Sequence, residues 1–263
     1  IIPTLDAELS TFMRISNELN EIGVHLFLPE KESFDFRSKV HFHELAERYD
    51  IQVPRGKTIS DPATLLTIHK EFDYPVMIKG QYYEAYIAYS SMEADHIFRK
   101  ISAKWGLPVI IQEFIVGEEY DITALGDGRG NLIGAVPMKK MQLTDAGKAW
   151  GGITIKDDGL MHFVENVVNK LKWRGPCELE VMKSKKDNNY YLIEINPRFP
   201  AWCYLLVAAG QNLQWATVRL ALGENVEPFK NYQVGTMFIR NSIDHIYPLS
   251  QYQEITTSGE LHK

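Results

Sequence analysis

Cysteine is nearly absent from this chain. Cys177 and Cys203 are the only two in 263 residues, too few for a disulfide framework, which makes a reducing, cytoplasmic compartment the expectation. Long apolar runs are missing as well; none approaches the length that crosses a bilayer, so no membrane partner is expected. Positive charge is in deficit, with 28 Lys and Arg against 34 Asp and Glu and a formal net charge of −6. That balance argues against a nucleic-acid partner and requires any phosphate-binding site to be local. Repeats and low-complexity segments are also lacking. What is present is a 45% hydrophobic composition, enough to build one large domain or two or three smaller lobes.

The densest chemical signal is a pair of segments, Cys177–Met182 and Tyr191–Asn196, each alternating apolar and polar residues as a half-buried strand does. Between them lies a stretch rich in Lys, Asp and Asn. A turn centred on Asp187 sets Glu180 opposite Glu194 and Glu178 opposite Asn196. Residues two apart share a strand face, so all four side chains project to one side. Like charges directly opposite destabilise a sheet. A hard divalent cation such as Mg²⁺, bound through carboxylate and amide oxygens and shared with phosphates, would resolve the repulsion. Arg198, just beyond the second strand, adds a planar cation suited to phosphate or acyl-phosphate oxygens. The competing reading is an edge hairpin whose charges are simply solvated.

Along the rest of the chain, Ile1–Asp6 reads as the end of a buried strand, Glu8–Ile22 as an amphipathic helix and Val24–Leu28 as a second strand stopped by Pro29. One strand, one helix and one strand make an incomplete α/β lobe, so residues 1–35 are expected to be the remnant of a larger N-terminal lobe. Phe36–Tyr49 reads as a helix, and Asp61-Pro62 opens another that runs to about Glu71. Pro75–Gly80 is a strand ending in Lys79, Ser91–Trp105 a helix capped by Ser90 or Ser91, and Pro108–Phe114 a strand apolar enough for burial on both faces. Gly117–Leu125 begins a second sheet, turns at 126–130 and returns through Val136. Leu160–Trp173 and Ala201–Leu222 read as helical, and residues 241–263 as an extension that trails off after Thr256.

In that order, a lysine on an early helix, a strand ending in Lys, a strand ending in Glu, a Gly-Glu-Glu turn and a closing Glu-Ile-Asn-Pro-Arg resemble the ATP-grasp superfamily. The likeness is greatest to the ATP-binding domain of biotin carboxylase and of the carbamoyl-phosphate synthase large subunit. The resemblance implies an α+β (α/β) architecture: an ATP-grasp domain over 36–240, with a mobile lid lobe at about 55–115 and a core lobe at about 116–240 gripping ATP. It implies ATP and Mg²⁺, with Mn²⁺ as an alternative, and a ligase that activates a small carboxylate as an acyl phosphate for attack by an amine or similar nucleophile. Two other readings stand beside it: a nucleotide-binding module without ligase chemistry, and carboxyphosphate or carbamoyl-phosphate chemistry at the same site. A homodimer is a candidate assembly.

Residue by residue, the resemblance assigns Lys39 and Lys79 to the phosphates. It assigns Glu113, Phe114, Ile115 and Val116 to adenine, through the main chain of an extended segment. Glu119 falls to the ribose hydroxyls, with Glu118 as the alternative should the turn shift by one residue. Glu180, Glu194 and Asn196 are the implied metal ligands, Arg198 faces the reacting groups, and Glu178 supports them. Two departures stand out. Where the family has a Gly- and Ser-rich phosphate loop, Gly80–Tyr89 carries one glycine and four tyrosines. Farther on, Lys139, Lys140 or Lys148 offers a contact to the γ-phosphate or substrate beside a glycine-containing loop at 144–152, with Lys139 carried as the catalytic candidate alongside Arg198.

Overall fold

The computed structural model describes residues 1–81, 84–144, 147, 149–244 and 246–260. Its N-terminal segment folds as two short helices, α1 (Asp6–Arg14) and α2 (Ser16–Glu21), where one continuous helix was expected. The break at Ile15 accompanies a hydrogen bond from the Ser16 hydroxyl to the Met13 carbonyl, a local bond of the kind that competes with helix continuation. Leu9 packs with Leu26 and Leu28 in a small cluster of its own. Neither expected strand forms: residues 1–5 and 24–28 are extended but join no sheet. The segment 24–28 is held instead by side chains and close packing. The Arg174 guanidinium donates to the Leu28 carbonyl at 2.7 Å, and the Phe27 carbonyl lies 2.7 Å from where a Cβ on Gly175 would be.

The expected helix over 36–49 also divides, into α3 (Lys31–Phe36) and α4 (Glu44–Tyr49). Between them the chain makes successive i→i+3 turns, Ser38 N–H to Asp35 and His41 N–H to Ser38, so Lys39 sits on a turn and not on a helix.

A four-stranded antiparallel sheet follows, built from β1 (Gly56–Ile59), β2 (Val76–Lys79), β3 (Ala85–Ala88) and β4 (Val109–Glu113) in the order β1-β4-β2-β3. Asp61 caps the next segment as expected, accepting from Ala63 N–H at 2.9 Å, but the turns over Pro62–Leu66 and Ile68–Lys70 are 3₁₀ in place of an α-helix. Helix α5 (Ser91–Trp105), capped by Ser90, lays Ala94, Phe98 and Ile101 onto Val76, Ile78, Val109 and Ile111.

The larger sheet has six antiparallel strands in the order β10-β7-β6-β5-β8-β9. They are β5 (Gly117–Asp127), β6 (Leu132–Leu143), β7 (Ala149–Thr154), β8 (Arg174–Ser184), β9 (Tyr190–Asn196) and β10 (Met237–Ile239). At the β5–β6 turn the Asp127 carboxylate accepts the N–H groups of Arg129 and Asn131, while Gly128 adopts φ +82°. Helix α6 (Asp158–Leu171), N-capped by Asp157, covers one sheet face with Leu160, Val164, Val167, Val168 and Leu171 against Ile122, Leu179, Val181 and Ile195. On the opposite face, Leu125, Val136 and Met138 pack with Trp202, in the turn before α7 (Tyr204–Ala208), with Leu205 of α7 and with Leu213 of α8 (Leu213–Ala221). The apolar stretch expected as a single helix is split there because Gly210 takes φ +95° and Asn212 caps the second piece through Trp215 N–H. Helix α9 (Leu249–Ser258) forms within the 241–263 extension and ends close to where the chain was expected to trail off.

Candidate functional site

The site begins with strand register. Glu180 pairs with Glu194 and Glu178 with Asn196 across β8–β9, as the turn arithmetic requires, and on the other side of β8 Asp121 pairs with Glu180 and Thr123 with Glu178. Directly paired residues in an antiparallel ladder share a face. Glu119, Asp121, Glu178, Glu180, Glu194 and Asn196 therefore line one face of the large sheet.

That face is buried at its centre and opens to solvent at Glu119. Asp121 is 2% exposed and Glu178 and Asn196 are 7% exposed. Burial, more than anything else, pushes the Asp121 carboxyl up to about 8, against the pull of Lys140, and it raises Glu180 as well, with the facing Glu194 adding to it. Glu178 is also shifted upward by burial, moderated by a hydrogen bond from Trp202 Nε1 at 2.8 Å. The Asn196 amide donates to both Glu178 and Glu180, at 3.3 and 3.2 Å, knitting the two carboxylates together.

Four cations approach this acid patch from different elements. Lys39, from the turn after α3, lies 3.2 Å from Glu194. Lys140, on β6, reaches Glu119 at 2.5 Å and Asp121 at 3.2 Å. Arg198 lies 3.6 Å from Glu178 and 3.0 Å from Asp6. Lys79 comes from the smaller sheet. It is only 8% exposed, and burial first, then Lys39, bring its ammonium down to about 8, while Glu194, Glu180 and Glu119 hold it up. The end of β2 thus faces the acid patch of the other sheet.

Glu180, Glu194 and Asn196 offer oxygen donors of the hard type that Mg²⁺ prefers, and a divalent cation would offset both the burial of Glu180 and its repulsion with Glu194. A second oxygen set, Glu119, Asp121 and Glu180, has ligand atoms within 4.8 Å of one another, but the Lys140 ammonium is already paired into it.

The structure separates residues that the sequence left side by side. Glu119 faces the site, whereas Glu118 takes the Tyr120 hydroxyl at 2.7 Å and Lys139 at 3.1 Å on the opposite face. Lys139 therefore does not join the acid patch; its neighbour Lys140 does, because β6 alternates and Met138 pairs with Asp121. Lys148, Tyr82 and Tyr83 lie outside the described residues. Glu113–Val116 form the crossing from β4 to β5, where Glu113 pairs with Arg55 at 3.2 Å and the Val116 carbonyl accepts from Lys185 N–H at 2.9 Å. Cys177 is buried, its thiol shifted up by that burial, on the face away from the glutamates. Sequence reasoning overlooked Asp121, although counting by two from Glu119 reaches it. It also gave no role to Asp6 or Arg37.

With this geometry in place, similarity to known proteins adds the context. The profile of a family described as "ATP-grasp in the biosynthetic pathway with Ter operon" matches residues 107–238. The carbamoyl phosphate synthase large chain of Clostridium botulinum (strain Eklund 17B / Type B) is 24% identical over 212 residues, covering 72% of this chain and 19% of that protein. Among solved structures, the biotin carboxylase–β,γ-ATP complex from Campylobacter jejuni superposes with a TM-score of 0.74 at 13% identity, covering 90% of this chain and 57% of the other. The biotin carboxylase domain dimer of Hydrogenobacter thermophilus 2-oxoglutarate carboxylase, solved with MgADP, ADP and bicarbonate, gives 0.68 at 17% identity, covering 87% and 54%. The chain thus spans a fraction of each relative's length.

Proposed function

The chain belongs to the ATP-grasp family of the biosynthetic pathway with Ter operon, and on that premise we propose that it binds MgATP between its two sheets and activates a carboxylate as an acyl phosphate. A carboxylate oxygen attacks the γ-phosphorus, the bond to the β-phosphate oxygen breaks and ADP leaves. A nucleophile such as an amine then attacks the acyl carbon, loses its proton and expels inorganic phosphate. The observation that carries this reading is the Glu180–Glu194 pair opposed across β8–β9 beside Asn196, with Lys39 3.2 Å from Glu194 and the buried Lys79 at the end of β2 in the same electrostatic field. Fixed cations and a metal site brought to one place suit phosphoryl transfer, which depends on positioning and charge stabilisation more than on covalent chemistry.

Glu180, Glu194 and Asn196 would hold Mg²⁺, which neutralises phosphate oxygens. Lys39, 3.2 Å from Glu194, would contribute its charge to a phosphate bound beside that metal site. Lys79, at a strand end, holds the outer phosphates. Glu119 accepts the ribose hydroxyls, and the crossing Glu113–Ile115 receives adenine under the apolar side chains of Phe114 and Val116. Arg198 stabilises charge on the transferring group and on the later tetrahedral species. Bicarbonate is a second acid worth testing, because a structural neighbour was solved with it beside MgADP. Phosphate release, screened over carboxylates including bicarbonate and over amines, tests the proposal. Release that no acid or amine accelerates, with MgADP still bound, would favour a nucleotide-binding module instead.

A further inference from the structure

Glu84 stands between β2 and β3 with φ +68°, in the left-handed region that favours glycine. Its carbonyl accepts the Gly80 N–H at 3.0 Å, and Lys79 pairs with Ala85, so Glu84 closes the turn that begins directly after Lys79. Its side chain leaves that turn for the last turn of α5. One carboxylate oxygen accepts from Lys104 Nζ at 2.6 Å, and the other from Trp105 Nε1 at 3.1 Å. The same ammonium lies 5.3 Å from the centre of the Trp105 ring. The three side chains therefore form one cluster, in which that of Glu84 is only 20% exposed.

A residue other than glycine persists in that conformation where its surroundings over-determine it. Here both carboxylate oxygens are held by one helix, and that helix is itself seated on the small sheet through Ala94, Phe98 and Ile101. The turn is thus fixed twice, to β2 by the Gly80 bond and to α5 by the carboxylate. Lys79, buried and directly before the turn, has its backbone fixed with it. A cation whose backbone is already ordered loses less conformational freedom when a phosphate arrives. We infer that Glu84 is a positioning residue for the outer phosphates: by tying the β2–β3 turn to the end of α5, it holds Lys79 in the direction from which it meets them. This rests on the nucleotide reading of Lys79 above and names a residue that reading does not use.

A cycle of variants separates positioning from plain support of the fold. Glu84→Gly removes the carboxylate while suiting φ +68°, so the turn itself is not strained by the change. Calorimetric titration of ATP with Mg²⁺ should show roughly tenfold weaker binding, the factor that about 1.4 kcal/mol produces. AMP should bind at the parent affinity. Lys104→Met and Trp105→Phe each remove one donor to Glu84, and each should shift ATP binding in the same direction by less. In a Lys79→Ala background, Glu84→Gly should have no further effect, because a residue that acts through Lys79 then has nothing left to position. An equal loss in both backgrounds, or a loss of ATP and AMP alike, would make Glu84 a support of the lobe and overturn the inference. So would parent-like ATP binding by Glu84→Gly where Lys79→Ala alone weakens ATP. No effect of Lys79→Ala would mark failure of the phosphate reading of Lys79 itself, and the inference would fall with it.

Discussion

Glu180 and Glu194 face each other across the β8–β9 ladder, with Lys39 3.2 Å from Glu194. Like charges so placed cost stability, and under the proposed metal reading a bound cation would relieve that cost. Replacing Glu194 with Gln should remove the Mg²⁺-dependent tightening of nucleotide binding. The metal-free melting temperature should hold or rise slightly, because relief of the repulsion offsets the lost contact with Lys39. Calorimetry with and without Mg²⁺, paired with a melt in chelator, reads both halves. Equal Mg²⁺ dependence in variant and parent would remove Glu194 from the metal site.

Asp121 gives the same face a pH dependence. Its folded pKa, about 8, lies above its ordinary value of 3.8, so the folded state holds a proton that the unfolded chain has released over that interval. Stability contributed by that proton is complete below the ordinary value and is lost as pH rises through about 8. Asn cannot lose a proton. The melting temperature of Asp121→Asn relative to the parent, measured without metal or nucleotide, should therefore climb between pH 5 and pH 9. A difference that stays flat with pH would show that Asp121 is charged throughout.

Lys79 and Lys39 should behave differently towards phosphate. Lys79 is buried at a strand end and already turned to the site, whereas Lys39 must first leave Glu194. Lys79→Ala should weaken ATP and ADP alike, by about 1.5–3 kcal/mol for one charge-assisted contact. AMP should be affected far less. Lys39→Ala should weaken ATP less than Lys79→Ala does, since the Lys39 ammonium is already paired with Glu194. An AMP loss as large as the ATP loss would move Lys79 away from the outer phosphates.

Much of this site was legible because strands declare themselves by a period of two. Glu178, Glu180, Glu194 and Asn196 fall on one face from counting alone, and a polar turn fixed their register. The places where the sequence misled are those where neighbours decide. Val24–Leu28 has the composition of a strand, yet a strand needs a ladder partner. Its carbonyls meet Arg174 and the bare Cα of Gly175 instead. Lys39 seemed helical because its flanks are, but the chain there makes a run of turns from which the Lys39 ammonium reaches Glu194 on the large sheet. The choice between Lys139 and Lys140 hangs on a register across β5–β6 that includes a bulge at Leu125/Gly126, which no local pattern reveals.

That last choice makes the sharpest mutational contrast. Lys140 is 15% exposed and bridges Glu119 to the nearly buried Asp121, whereas Lys139, 43% exposed, pairs with a solvent-facing Glu118 on the other side of the strand. Lys140→Met keeps the length of the side chain and removes its charge, leaving Asp121 buried without its cation. Asp121 is charged in the folded protein only above about 8, so a clear fall in melting temperature is expected at pH 9. At pH 5, where the folded parent already holds the Asp121 proton, the fall should be smaller. The same variant opens the Glu119–Asp121–Glu180 oxygen set, and a Mn²⁺ titration should show additional binding if the ammonium has been filling that space. Lys139→Met should leave the melt and the Mn²⁺ stoichiometry at parent values, because the pair it breaks is screened by water. If the two variants proved interchangeable in both measurements, Lys140 would be a surface lysine like its neighbour, and the acid patch would owe nothing to it.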